Sequence, residues 1–165
     1  MAMRIESLPT LTPTGKLPPQ PWMTAPEIRS IIAALTAKGS EVRFVGGCVR
    51  DAIRKLDTTD IDIATPDRPE VVIDLLEDRG IKAIPTGLSH GTVTVVSGVW
   101  NVEITTLRVD LQTDGRHAKV TFTNDWIADA ARRDFTINTL SSTIDGDVYD
   151  PFSGMDDLAK GRVRF

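Results

Sequence analysis

The acids Asp60 and Asp62 stand two apart in Asp60-Ile61-Asp62-Ile63, a run that alternates charged and apolar residues. On a strand, residues i and i+2 face the same side, roughly 6.5 Å apart along the backbone. Two carboxylates on one face repel each other, and bringing them together is costly unless a cation lies between them. The same pattern alone also describes a polar edge strand with two solvated acids. A further acid, Glu103, interrupts the β-branched run Val102-Glu103-Ile104-Thr105-Thr106. It becomes a third carboxylate for a metal site if its strand lies beside Asp60–Ile63, and is an ordinary outward residue if not.

Phosphate chemistry is suggested by Gly46-Gly47-Cys48-Val49-Arg50-Asp51, a strand entering a helix through two glycines. Glycines let a phosphate approach the backbone, and a helix start offers free N–H groups. Arg50, one turn in, can bridge phosphate oxygens, although a lone Gly-Gly is more often a plain turn. The last stretch is Arg132-Arg133-Asp134-Phe135-Thr136-Ile137-Asn138. Arg133, Asp134 and Asn138 can face a triphosphate together, with 134 and 138 on one helix face. The plainer alternative is a charged helix face held by an Asp–Arg network.

Other chemistries find less support. One cysteine, Cys48, excludes an internal disulfide, and with only His90 and His117 beside it a zinc cluster is implausible. Cys48 reads as filler in a tight turn, and His90 as part of a turn entering a strand. A metal here must be held by carboxylates, which favours Mg²⁺ or Mn²⁺. The glycine turn has neither the GxxxxGK[ST] nor the GxGxxG form.

The elements that position these residues follow from periodicity. The stretch before Pro26 is rich in Pro and Thr and is expected to be an extended arm (1–26, reaching the start of the first helix). Ile28, Ile31, Ile32 and Leu35 make a helical stripe that Gly39 ends. Strands are expected over Val42–Val45, Asp60–Ile63, Lys82–Ile84, Thr92–Val96, Val102–Thr106 and Val120–Phe122. Helices are expected over Val49–Leu56, after Pro66 with Val71, Val72, Leu75 and Leu76 inward, and over Trp126–Leu140. Arg108–Lys119 reads as a mobile loop, and Asp145-Gly146 as the turn of a hairpin joining Ser142–Ile144 to Val148–Tyr149. The fold class is α/β or α+β, a mixed sheet of about five strands with helices packed on it.

The composition, 41% hydrophobic and 25% charged, is that of a globular domain. No apolar run approaches the roughly 18 residues of a membrane helix, and no secretory signal opens the chain, so a cytoplasmic protein is expected. A net charge of −4 and a pI near 5.2 do not suit a free-standing nucleic-acid binder.

In this order, Gly-Gly with Arg-Asp, Asp-x-Asp, a later strand acid and Arg-Arg-Asp-Phe-Thr-Ile-Asn, the chain resembles the class II tRNA nucleotidyltransferases. That family includes the CCA-adding enzymes and bacterial poly(A) polymerases, within the polymerase-beta-like nucleotidyltransferase superfamily. The resemblance runs from about Glu27 to the C-terminus and implies that residues 27–165 form the head domain. It implies that Asp60 and Asp62 are the metal ligands of two Mg²⁺ ions, with Glu103 the third catalytic carboxylate. It places Gly46, Gly47, Arg50, Arg133, Asp134 and Asn138 at the nucleotide, and makes Arg108–Lys119 the loop used in switching to A addition. Where many relatives have Pro in that loop, this sequence has Ala118 after Asp114-Gly115-Arg116-His117.

The reaction implied is attack of the tRNA 3′-hydroxyl on the α-phosphate of CTP or ATP, with release of pyrophosphate. The family's neck, with its Glu-Asp-x-x-Arg base-reading motif, and its body and tail are expected to be absent here, because no such motif occurs and the chain stops where the neck would begin. The tRNA grip would lie mostly on those domains, which accounts for the acidic balance, and no protein partner is implied. This chain alone is expected to bind Mg²⁺–NTP weakly and to add nucleotides poorly, without base choice. Alternatives are a poly(A) polymerase head, disfavoured by Gly91-Thr92-Val93-Thr94-Val95-Val96 where those relatives have a basic strand, and a non-catalytic nucleotide-binding module.

Overall fold

The computed structural model describes residues 13–55, 58–111, 119–133, 139–152 and 154–161. Its frame is a mixed eight-stranded sheet. In chain order the strands of this sheet are β1 (Gly15–Lys16), β2 (Arg43–Val45), β3 (Asp60–Thr65), β4 (Ile84–Gly87), β5 (Thr92–Ser97), β6 (Trp100–Thr106), β9 (Ser141–Ser142) and β10 (Asp147–Tyr149). Across the sheet they run β1-β10-β9-β2-β3-β6-β5-β4. Only the central β3–β6 pairing is parallel, with Asp60 opposite Asn101, Asp62 opposite Glu103 and Ala64 opposite Thr105. A separate hairpin pairs β7 (Arg108–Leu111) with β8 (Lys119–Phe122). The sheet is thus wider than the five strands expected, because the expected hairpin joins it as β9 and β10 and β1 is added from the segment read as an arm.

Two amphipathic helices cover one face. In α2 (Pro26–Thr36) Pro26 starts the helix, Glu27 lies in its positive first turn, and Ile28, Ile31, Ile32 and Leu35 are buried. In α4 (Pro69–Glu77) the start falls at Pro69, and Val72, Leu75 and Leu76 turn inward. Val71, expected inward, is instead 42% exposed, because the 100° step between neighbours carries it off the stripe. Against these helices lie Phe44, Ile61, Ile63, Val93, Val95, Val102 and Ile104, the inward half of each strand's alternation.

The opposite face is where the acids stand, and it is only partly covered. A small second core of Val45, Ala64 and Leu107, with Trp126 against it, seats α5 (Trp126–Ala131) there. Asp125 caps that helix, its side chain accepting from the Ile127 and Ala128 amides. A short helix, α3 (Gly47–Ile53), follows β2, and α6 (Gly154–Ala159) closes the described chain.

Several expectations need correction. Within the segment expected to be an extended arm, β1 pairs with β10, and α1 (Pro21–Thr24) buries Trp22 and Met23. Trp22 packs against Phe44 as a tilted ring pair with centroids 4.5 Å apart, so the segment belongs to the core. The run expected as a loop from Arg108 begins and ends as the β7–β8 hairpin; residues 112–118 lie outside the described residues. The helix expected over Trp126–Leu140 stops at Ala131; residues 134–138 lie outside the described residues, and Thr139 and Leu140 are in no helix. The strand expected at Lys82–Ile84 starts at Ile84, the helix expected from Val49 runs Gly47–Ile53, and Ile144 lies in the β9–β10 turn rather than on a strand. Among the described residues no helix is long and apolar enough to cross a membrane.

Candidate active site

The parallel β3–β6 pairing settles the question that spacing left open. Glu103 is the direct neighbour of Asp62, and both project from the sheet's open face. Their carboxyls are close enough to act on one another, and the pKa of Asp62 is pushed up from 3.8 to about 6. Burial is the largest cause, followed by the charge of Glu103, while Arg133 pulls the other way. Asp60, at the start of β3, is exposed, and its charge adds a smaller push in the same direction.

Opposite these acids stands a cationic wall. A cleft of about 230 Å³ is lined by Asp62 and Glu103 on one side and by Arg108, Arg132 and Arg133 on the other. Asp129, buried on α5, holds the arginines in place. Its Oδ1 accepts from Arg132 Nε at 3.2 Å and from the Arg108 backbone amide at 3.0 Å, and its Oδ2 accepts from Arg133 at 3.4 Å. Arg133 is itself pushed below its ordinary pKa, mainly by burial, yet stays paired with Asp129 and close enough to Asp62 to feel its charge. The Asp–Arg network considered from sequence is therefore present, and it faces the acids.

The glycine turn abuts the same acids. Gly46 adopts φ +69° and ψ −136°, a region open only to glycine, and a Cβ there would stand 3.5 Å from Asp62 Oδ2. Gly47 lies against the Arg50 guanidinium, which also pairs with Asp51 at 3.2 Å. Arg50 is not among the residues lining the cleft. Asp60 lines a neighbouring, wider depression with Thr58, Thr59 and the edges of Trp22 and Trp100. Asp134 and Asn138 lie outside the described residues. Cys48 is buried with its thiol pushed up to about 12, mainly by burial, which fits filler and not a nucleophile. His90 ends a 3₁₀ turn before Gly91, at the entry to β5 as expected.

Three residues of the cleft were missed by sequence reasoning: Arg108, Arg132 and Asp129. The signal was available for the last two, since Asp129 precedes Arg132 and Arg133 by the i+3 and i+4 spacings of helical ion pairs.

Comparison with known proteins fits this geometry. A family model described as the poly A polymerase head domain matches residues 42–164. The chain belongs to that family. Among curated relatives it is 47% identical over 126 residues to the mitochondrial CCA tRNA nucleotidyltransferase 1 of Danio rerio, covering 76% of this chain and 29% of that one. It is 44% identical over 136 residues to the CCA-adding enzyme of Oceanobacillus iheyensis, covering 81% and 33%. Its fold resembles the crystal structure of the Bacillus stearothermophilus CCA-adding enzyme in complex with CTP, with a TM-score of 0.71 and 35% identity over 86% of this chain and 34% of that one. The chain therefore spans about a third of the length of the relatives it matches.

Nucleotidyltransferases generally use divalent metal ions, and the donors here suit one. All are carboxylate oxygens, the hard ligands that Mg²⁺-like cations take, and the raised pKa of Asp62 shows that the site disfavours a second bare negative charge. Among the described residues, no three His, Cys, Asp or Glu side chains already close into a cage.

Proposed function

We propose that this chain is the catalytic head of a tRNA nucleotidyltransferase that transfers CMP and AMP from CTP and ATP to a tRNA 3′-hydroxyl. The observation that carries this reading is the in-register pair Asp62–Glu103 facing Arg133 across one cleft: cation-binding acids on one side, a phosphate-binding guanidinium on the other. The names of the relatives, CCA tRNA nucleotidyltransferase and CCA-adding enzyme, supply the substrate class.

In this reading Asp60, Asp62 and Glu103 hold two Mg²⁺ ions, Asp60 and Asp62 as direct ligands. Bound there, the ions would supply activation of the attacking hydroxyl and neutralisation of the leaving pyrophosphate. The residues of the chain do the positioning. Arg133 draws the triphosphate toward the acids, the Gly46-Gly47 turn lets it approach the backbone, and Arg50 flanks that turn. Asp134 and Asn138, next to Arg133 in sequence, complete the nucleotide contacts.

The test is incorporation of labelled CMP and AMP into tRNA lacking its 3′ CCA, with Mg²⁺, by this chain and by Asp60→Ala and Asp62→Ala. Slow incorporation with little base choice is expected, abolished in both variants. Parent-level incorporation in either variant would refute the assignment. Because the family model is described by poly A polymerase, the product ends also decide between readings: runs of A alone from mixed CTP and ATP would mark a poly(A) polymerase head. Metal-dependent nucleotide binding without any transfer would mark a binding module.

A further inference from the structure

The cationic wall of the cleft holds more charge than its partners balance. Arg108, Arg132 and Arg133 line it, and among the described residues the carboxylate hydrogen-bonded to them is Asp129. Asp129 reaches the side chains of Arg132 and Arg133, but it meets Arg108 only through the backbone amide. The Arg108 guanidinium instead donates to a neutral acceptor, the His90 carbonyl, at 2.6 Å. Its Nε is buried and has no hydrogen-bond partner among the described residues. Burial and the neighbouring charge of Arg132 push Arg108 below its ordinary pKa, eased only in part by Asp129 and Asp110.

Such an arrangement is costly on its own. A buried N–H without a partner and like charges crowded in one wall each cost free energy, and native structures keep them where something else requires them. A polyanion in the cleft offsets all three guanidiniums at once, and the planar fork of arginine suits phosphate oxygens. Position along the cleft separates the arginines. Arg133 follows α5, whereas Arg108 lies five residues beyond Glu103, past the end of β6, with its side chain tied to the turn at His90 and so away from the acids.

We propose that Arg108 is a further nucleotide-binding residue which, with Arg132, grips the pyrophosphate portion of the incoming nucleoside triphosphate, opposite Asp62 and Glu103. This rests on the proposed nucleotidyltransferase reading, in which the reacting α-phosphate lies at the acids. Arg133 then serves the phosphate nearest the acids and Arg108 the phosphates that leave. The cation at the head of β7 also explains why the strand begins where it does: the Arg108 amide is tied to Asp129, and its side chain to the turn at His90.

The test compares Arg108→Gln, Arg108→Lys and the parent chain by calorimetric titration with CTP, CMP and inorganic tripolyphosphate, each with Mg²⁺. Arg108→Gln is expected to lose about tenfold or more in affinity for CTP and tripolyphosphate, as removal of a charge-assisted contact implies, with CMP binding unchanged. Arg108→Lys keeps the charge but not the fork and is expected to fall between. Circular dichroism and melting temperature establish that each variant is folded, and Arg108→Lys carries the comparison if Arg108→Gln is not. CTP and tripolyphosphate affinities equal to the parent's in a folded variant would overturn the proposal, as would an equal loss for CMP. Asp62→Ala separates the two readings. Loss of CTP binding there with none in the Arg108 variants defeats the Arg108 assignment alone. Tripolyphosphate binding that depends on Arg108, in a chain that transfers no nucleotide, defeats the catalytic reading alone.

Discussion

Replacing Asp62 with Asn removes one charge from the most crowded pair of acids, and the structure fixes what that does to stability as well as to binding. In the folded chain the Asp62 pKa stands at about 6 against an ordinary 3.8, because burial and Glu103 favour the protonated form. The folded state thus holds a proton that the unfolded state gives up. The stability this contributes is fully present below about pH 3.8 and is lost as the pH rises through about 6. The full difference corresponds to about 3 kcal/mol at neutral pH. Asp62 is only partly buried, so solvent screening reduces this to about 1–2 kcal/mol. Asp62→Asn keeps the shape and drops the charge, and should raise the melting temperature at pH 7.5 without metal by about 3–6 °C. At pH 4.5, between the two pKa values, the variant's advantage should shrink to about a third of that. On the proposed reading, in which Asp62 is a metal ligand, Mg²⁺ should raise the parent's melting temperature at pH 7.5 and leave the variant's unchanged. The assay is thermal denaturation across pH with and without Mg²⁺. A variant less stable than the parent at pH 7.5, or one that gains equally at pH 4.5, would refute the argument.

Trp22→Ala should cost about 3–5 kcal/mol, the usual range for deleting a buried aromatic, because Trp22 is 2% exposed and packed against Phe44; urea denaturation measures it, and a cost under about 1 kcal/mol would mean that the N-terminal segment is not part of the core. Gly91→Ala should destabilise by about 2 kcal/mol, since Gly91 has φ +79° and a Cβ would meet Phe122 Cε1 at 2.7 Å and Thr106 Cβ at 3.2 Å; the same denaturation experiment reads it. Cys48, buried and with its thiol pushed up to about 12, should react with a thiol reagent at pH 8 only as fast as the chain unfolds, and rapid stoichiometric labelling of the native protein would contradict that.

The parts of the site legible in the sequence are those carried by a local period. Asp60-x-Asp62 and the alternation around Glu103 place each acid on a strand face, and Gly46-Gly47 marks a backbone that must turn sharply. Their meeting was not legible, because it depends on β3 and β6 being parallel neighbours although β4 and β5 lie between them in the chain. The Pro- and Thr-rich composition before Pro26 conceals Leu17, Trp22 and Met23, three buried side chains that averaging over the segment removes from view. Of the β7–β8 hairpin, β8 was expected as a strand, whereas β7 was read as loop because Val109 and Leu111 stand among charged residues, and its pairing with β8 is not visible locally.

Asp129 shows why a charge network read as merely structural and the same network read as functional are not alternatives. A carboxylate buried this deeply is tolerated only when cations meet it, and its partners Arg132, Arg133 and the Arg108 amide do so. Its two oxygens are thereby used up on one side of the cleft, which leaves the guanidiniums with positive charge to spare on the side that faces Asp62 and Glu103. One buried acid therefore both anchors α5 to the head of β7 and aims the cations at the place where a triphosphate would lie. Removing it by Asp129→Asn should lower stability by about 3 kcal/mol, the usual order for breaking a buried ion pair, and should weaken CTP binding more than CMP binding, because the arginines lose their aim as well as their partner. A variant that loses stability but binds both nucleotides as the parent does would confine Asp129 to the fold.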